Sequence, residues 1–303
     1  MTQNSLMTAI RHPERSEGSP ANDARCANRG RSLASPGMTD VAQLDLSFGV
    51  AGGRTVLARR HVSYPFNVTA PLQSAESRAD VIVQSASGGV YGGEQLRQRV
   101  TVDAGAQAVI RMPSATVVHA TRTAEPARQS VSLQAGEGAT LFYLPRPLIL
   151  FPGGALVQAM DITVAGGATV MIRDGFLLHD PAAMASGSRA LRSRVTVRDA
   201  AGRLIAIDLL RIDDGMIDAA SPGVTGSYRA FGTVWLVRRM EAGCVQGVKA
   251  TIARRFAPDG DCYVSTTSLR HDAGAIVRVA AVDGGALDVA LEAIVDAWVR
   301  TLV

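Results

Sequence analysis

Val100-Thr101-Val102-Asp103-Ala104-Gly105-Ala106-Gln107-Ala108-Val109-Ile110 is an alternating apolar–polar run, a Gly-Ala turn and a second apolar run. The same unit returns as Val131-Ser132-Leu133, Gly138-Ala139, Leu141-Phe142-Tyr143-Leu144. It returns again as Ile162-Thr163-Val164, Gly167-Ala168, Val170-Met171-Ile172. A weaker fourth copy runs Val195-Thr196-Val197, Gly202, Leu204-Ile205-Ala206-Ile207. The copies start roughly every 30 residues, the mark of units that bury one another's apolar faces side by side. Each copy reads as hairpin-like, and a lone hairpin is marginal in water. The chain is therefore expected to be mainly β. Its sheets should be stacked, antiparallel or solenoid-like, with a few short helices and no βαβ units.

Immediately upstream lies Ser85-Ala86-Ser87-Gly88-Gly89-Val90-Tyr91-Gly92-Gly93-Glu94. The strand-like Val81-Ile82-Val83 leads in, and the alternating Leu96, Val100 and Val102 lead out. Two glycine pairs allow positive φ and close approach of another backbone. As an isolated stretch it reads as a glycine-rich turn between strands. It is not a phosphate loop, because no GxxxxGK[ST] is present and a strand pattern follows. Valine at Gly92 or Gly93 is expected to oppose positive φ and impair folding or partner binding. Further upstream, Leu44, Leu46 and Phe48 alternate and Gly52-Gly53 turns the chain. Arg59-Arg60-His61 then reads as a solvated edge strand before Tyr64-Pro65. Residues 1–37 are polar, mixed in charge and without period, so they are expected to be disordered or a mis-called N-terminal extension. Residues 38–303 are expected to form a single β-rich domain.

Downstream of the repeat, residues 213–227 are rich in Gly, Asp and Ser and read as a mobile loop, and a helical turn is expected at 182–185. Strands are expected at 233–237, 248–252, 263–266 and 276–282. Leu287, Ala290, Leu291, Ile294, Val295, Trp298 and Leu302 then recur at helical spacing behind Asp283, a capping residue. This amphipathic C-terminal helix is expected to pack on the sheets.

The 303 residues carry a net charge of +4, and residues 1–37, with five Arg against three acids, hold +2 of it. Lys249 is the sole lysine, and no basic run interleaves with aromatics, which gives no support to nucleic-acid binding. Cys26, Cys244 and Cys262 make neither a disulfide framework nor a CxxC, and no apolar run reaches the length of a membrane span. A cytoplasmic protein is expected. His12, His61, His119, His179 and His271 are scattered without metal-ligand spacing, no GxSxG elbow exists, and Asp213-Asp214 sit in a loop. Nothing in these patterns demands an enzyme.

Gly88-Gly89-Val90-Tyr91-Gly92-Gly93-Glu94-Gln95-Leu96 resembles the double-glycine signature near the start of the urease accessory protein UreD (UreH) family. Leu141-Phe142-Tyr143-Leu144-Pro145 resembles that family's Leu-Glu-Trp-Leu-Pro segment, and Ile149-Leu150-Phe151 its Ile-Leu-Phe. The chain departs from the pattern at Val117, where Lys is common, at Phe142, and at Arg146-Pro147 after the Leu-Pro. The family's Gly-Arg following Asp174 is replaced by His179-Asp180. The resemblance implies a non-enzymatic maturation chaperone that binds urease apoprotein with UreF and the GTPase UreG and assists nickel insertion. It implies no stably held cofactor, since nickel would be handled transiently by the complex. Gly88, Gly89, Gly92, Gly93 and Glu94 are then the signature, structural or partner-binding. Asp103 and Asp174, with Glu94, are candidates by position for an ion passage. From the residues alone, a β-rich enzyme or a ligand-binding protein with a groove along the strands stays open as the alternative.

Overall fold

The computed structural model describes residues 42–302 apart from 74–76, 122–124, 182–187, 214–224, 241–243 and 257–259. The extension expected at 1–37, the helical turn at 182–185 and most of the 213–227 loop lie outside the described residues.

β1 (Leu44–Ala51) and β2 (Arg54–Val62) form an antiparallel hairpin. β3 (Phe66–Val68), β4 (Leu72–Gln73), β5 (Ala79–Ser85) and β6 (Gly89–Val90) lead into the repeats. The first repeat is β7 (Gln95–Val102), β8 (Gln107–Arg111) and β9 (Val117–Val118). The second is β10 (Ala127–Ala135), β11 (Thr140–Leu144) and β12 (Leu148–Leu150). The third is β13 (Ala155–Val164) and β14 (Thr169–Leu178), and the fourth is β15 (Ala190–Asp199) and β16 (Leu204–Asp213). Then come β17 (Ala230–Val237), α1 (Cys244–Arg255), β18 (Cys262–Ser268), β19 (Gly274–Ala281) and α2 (Gly284–Leu302).

The first three repeats are coils of a solenoid, not hairpins. β7 and β8 do not pair with each other. β7 pairs in parallel with β1 and β10, whereas β8 pairs in parallel with β5 and β11. One sheet runs β16-β15-β13-β10-β7-β1-β2. The main path of the other, twelve-stranded sheet runs β18-β19-β17-β14-β11-β8-β5-β3. A short parallel ladder, β6-β9-β12, branches from that second sheet where β12 pairs with β14. The physical reason lies in the Gly-Ala turns. Gly105, Gly138 and Gly167 have φ of 68°, 63° and 70° at the third position of turns closed by Ala106, Ala139 and Ala168. A type II turn requires that positive φ. The turn serves as a corner that sends the chain into the opposite sheet, so the apolar faces of its two strands meet across the core. Only the fourth copy is the expected antiparallel hairpin, β15 with β16.

The main core lies between the sheets, with Phe48, Val100, Leu133 and Ile162 facing Ile110, Leu141, Val170 and Trp235. The twelve-stranded sheet is buried on its other face too, beneath α2, whose Leu287, Leu291, Ile294 and Trp298 are fully buried. At about 1.5–3 kcal/mol for each fully buried large side chain, that face is a second core. Asp283 caps α2 as expected, accepting a 2.8 Å hydrogen bond from the Ala286 N–H. The segment 248–252, expected to be a strand, lies within α1. There Val245 and Ile252, two helical turns apart, both contribute to the core beneath α2.

Candidate functional site: a polar row between the sheets

Gly89 and Val90 form β6, on the β6-β9-β12 ladder, one coil above Val117 and Val118. A Cβ on Gly89 would lie 2.4 Å from the Val117 carbonyl oxygen and 2.7 Å from the His119 ring. A Cβ on Gly92 would lie 2.5 Å from Thr121 Cβ. Gly88 and Gly93 instead take φ of 69° and 84°. The expectation from positive φ therefore holds at Gly93. At Gly92 the constraint is the next coil's approach. The Glu94 carboxylate is spent locally, accepting a 3.0 Å hydrogen bond from the Tyr91 N–H. Tyr91 stacks on His119 at 4.4 Å between ring centres, and the column continues through Phe151 to His179 at 5.7 Å steps. The signature is thus a corner that lets successive coils close-pack.

Asp103 is exposed at the β7–β8 corner. Asp174 is on β14 and faces the inter-sheet space, so the structure does not bring the two together. Gln129, Gln158 and Ser193 form one cross-strand row on the inner face of the seven-stranded sheet. Asp174, Thr233 and Arg278 form the answering row on the other sheet. Gln158 Nε2 donates to Asp174 Oδ2 at 3.3 Å and to Ser193 Oγ at 3.3 Å. Asp174 Oδ1 accepts from the Gly175 N–H at 2.8 Å. Nearby, the Tyr143 hydroxyl donates to Gln98 Oε1 at 2.9 Å. Burial raises the pKa of Asp174, only partly offset by its hydrogen bonds from Gly175 and Gln158. Burial, and to a lesser degree the Asp174 charge, push the Tyr143 phenol well above its ordinary range.

A cavity of about 400 Å³ and a second of about 240 Å³ share Leu148, Gln158 and Asp174 in their walls. The larger also takes in Asp208 and Arg278, which bridge the two sheets by a 2.9 Å ion pair. Among the described residues, no group of three His, Cys, Asp or Glu could hold a metal ion, and no helix is long and apolar enough to cross a membrane.

Gln98, Gln129, Gln158 and Ser193 escape a reading based on charged residues. Their signal is a polar residue in the buried phase of a strand: Leu96-x-Gln98-x-Val100, Ala127-x-Gln129-x-Val131, Leu156-x-Gln158-x-Met160 and Leu191-x-Ser193-x-Val195. Arg146, where the resemblance breaks, pairs with Asp288 and Glu292 of α2. Glu292 also meets the buried Arg173 at 2.6 Å, and Arg173 donates to the carbonyls of Leu144 and Pro145.

Fold and site together define a β-solenoid scaffold with two internal cavities that meet at a few polar side chains. Residues 40–303 match the family model described as UreD urease accessory protein, and the chain belongs to that family. It is 34% identical over 245 residues to Urease accessory protein UreD 2 of Bradyrhizobium sp. (strain ORS 278), covering 80% of this chain and 84% of that protein. It is 32% identical over 263 residues to Urease accessory protein UreD 1 of Methylorubrum extorquens (strain PA1), covering 86% and 88%. It is 35% identical over 246 residues to UreD 1 of Pseudomonas syringae pv. syringae (strain B728a), covering 79% and 84%. Its role is in urease maturation, as an accessory protein.

Proposed function

We propose that the chain is a cytoplasmic, non-catalytic scaffold that binds urease apoprotein together with UreF and UreG, and that nickel on its way to the urease metallocentre passes along the inter-sheet polar row. The observation that carries this reading is the pair of cavities meeting at Gln158 and Asp174. The Asp174 carboxylate, with the Ser193 hydroxyl nearby and Asp208 already held by Arg278, offers a divalent cation a few hard donors without closing a coordination shell. That suits transit better than storage, because tight sites for such metals gather several nitrogen or sulfur ligands. The carboxylate must give up its proton to meet the ion, so burial that favours the proton also weakens the hold on the metal. Asp103, exposed at a corner, has no part in this path.

The test is urease activation in a deletion strain at limiting nickel, with co-purification of the chain with urease apoprotein, UreF and UreG. Loss of activation that is restored by the wild-type chain is expected. Full urease activity without the protein overturns the maturation role. Full activation by Gln158→Leu/Asp174→Leu in a complex that still assembles overturns the path.

A further inference from the structure

Both helices of the described chain pack on the side of the twelve-stranded sheet, so the outer face of the seven-stranded sheet carries no covering element among the described residues. That is unusual where β1, β7, β10, β13 and β15 run parallel, since parallel sheets are normally covered on both faces. The strand registers give this face a regular layout. One row reads Arg97, Ser130, Ala159, Arg194 across β7, β10, β13 and β15, and the row below reads Gln95, Arg128, Val157, Arg192. In the first row Arg97 and Arg194 thus stand three strand spacings apart, about 14 Å, across Ser130 and Ala159, and in the second Arg128 on β10 stands inside that span, two spacings from Arg192. Asp45 and Asp161 on the same face are already paired, with Arg59 and Arg99 and with Arg194. No carboxylate pairs with Arg128 or Arg192 among the described residues. The face is therefore positive in excess.

From this layout we propose that the face is a docking trough for an α-helix of a partner protein bearing carboxylates along its flanks. A helix with its side chains is about 10–12 Å across, so one lying along Ser130 and Ala159 has Arg97 and Arg194 at its flanks and Arg128 beneath one end. The chain itself shows the chemistry on its opposite side. There α2 lies on a floor containing Gly232, at which any Cβ would strike Leu287 and Leu291, and offers Asp288 and Glu292 to Arg146 and Arg173. Planar guanidinium groups suit carboxylates. The trough has no aromatic side chain on which a base could stack. The chain's own first 37 residues, with five Arg against three acids, do not match it in charge. The partner is a member of the maturation assembly, so this inference rests on the scaffold reading above.

The full-length chain is titrated against purified urease apoprotein, UreF, and the two mixed, as wild type, as Arg128→Glu/Arg192→Glu, and as Arg254→Glu, a control on α1. At least a tenfold loss of affinity is expected in the double variant, with a shallower salt dependence and no change in the control. A photo-crosslinker at Ala159 is expected to join an acid-rich helical segment of the partner. If wild type binds neither protein, the scaffold reading fails. If wild type binds and the double variant binds equally, only the trough is refuted. Crosslinks confined to a second copy of this chain or to residues 1–37, or binding of duplex DNA that the double variant abolishes, would each overturn the helix as occupant.

Discussion

Gly89 and Gly93, four residues apart, are glycine for unrelated reasons. At Gly93 the backbone sits at φ 84°, so Gly93→Ala should cost about 1–2 kcal/mol. At Gly89 a Cβ would meet a backbone carbonyl at 2.4 Å, and a carbonyl fixed in a ladder cannot step aside. Gly89→Ala should cost more, about 3 kcal/mol or above, as overpacking without relief does. Urea unfolding of the two variants checks the order, and equal losses would contradict it. The same scale governs Asp174. Burial raises its pKa, so the folded state holds that proton more tightly than the unfolded chain. Its stabilising contribution is present in full in acid, below the ordinary carboxylate range, and is lost as pH rises through the raised value. Asp174→Asn keeps the shape and removes the charge. It should be more stable than the parent at neutral pH, by about 1.4 kcal/mol for each unit of raised pKa, with the difference closing in acid. Melting temperatures across that pH range test this, and a difference that does not vary with pH would refute it. Asp174 could be picked from the sequence only by position. Its neighbours Gln158 and Ser193 become legible once each strand's buried phase is known.

Helix α2 is the element whose sequence is plainest, because its apolar positions recur with one period and its cap stands at Asp283. α1 was not legible. Val245-x-x-Val248 with Ile252 is rich in β-branched residues and holds Gly247, so local preference argued for a strand. Helical spacing decides only with α2 beside it. The strands were legible in kind and not in pairing. β11 reads Leu-Phe-Tyr-Leu because both its faces are buried, and β10 alternates because one face is open. Whether a Gly-Ala turn closes a hairpin or rounds a corner depends on which sheet receives the second strand, and that contact is about 30 residues away. At this scale Arg173 clamps β14 to the segment after β11 and to α2. Arg173→Met leaves the Pro145 carbonyl without its donor and the Leu144 carbonyl with only the longer bond from the Met112 N–H, and a buried acceptor so stranded costs about 1–3 kcal/mol. Glu292, about 40% exposed, can be replaced more cheaply. Glu292→Gln should cost about 1 kcal/mol and Arg173→Met about 3 kcal/mol or more. Chemical denaturation ranks them, and a costlier Glu292→Gln would show that the helix, not the carbonyl clamp, is what Arg173 serves.

The whole molecule ends its seven-stranded sheet in two unlike edges. β2 exposes Arg54, Arg59, Arg60 and His61, a charged border that resists further pairing, as the sequence suggested. β16 is ten residues long, and it exposes Ile207 at 51% and Leu209 at 70%. Arg211 is turned to Asp213 on the same strand. A long edge with apolar side chains and open backbone groups is a template for another strand. The isolated chain should therefore self-associate through β16 in a concentration-dependent way. Ile207→Lys/Leu209→Lys changes only outward positions and should leave unfolding within about 0.5 kcal/mol of the parent while lowering the light scattering of concentrated samples. A matching pair of lysines on β2, Ala58→Lys/His61→Lys, should change little, because that border is already charged. Equal scattering from parent and β16 variant, or relief from the β2 variant alone, would place the sticky surface elsewhere. The asymmetry follows from the topology: β2 closes the first hairpin and meets water by design of its charges. β16 is the rim of the larger cavity, where Leu210 and Asp208 point inward, and a charged border there would compete with the Asp208–Arg278 pair that ties the two sheets together.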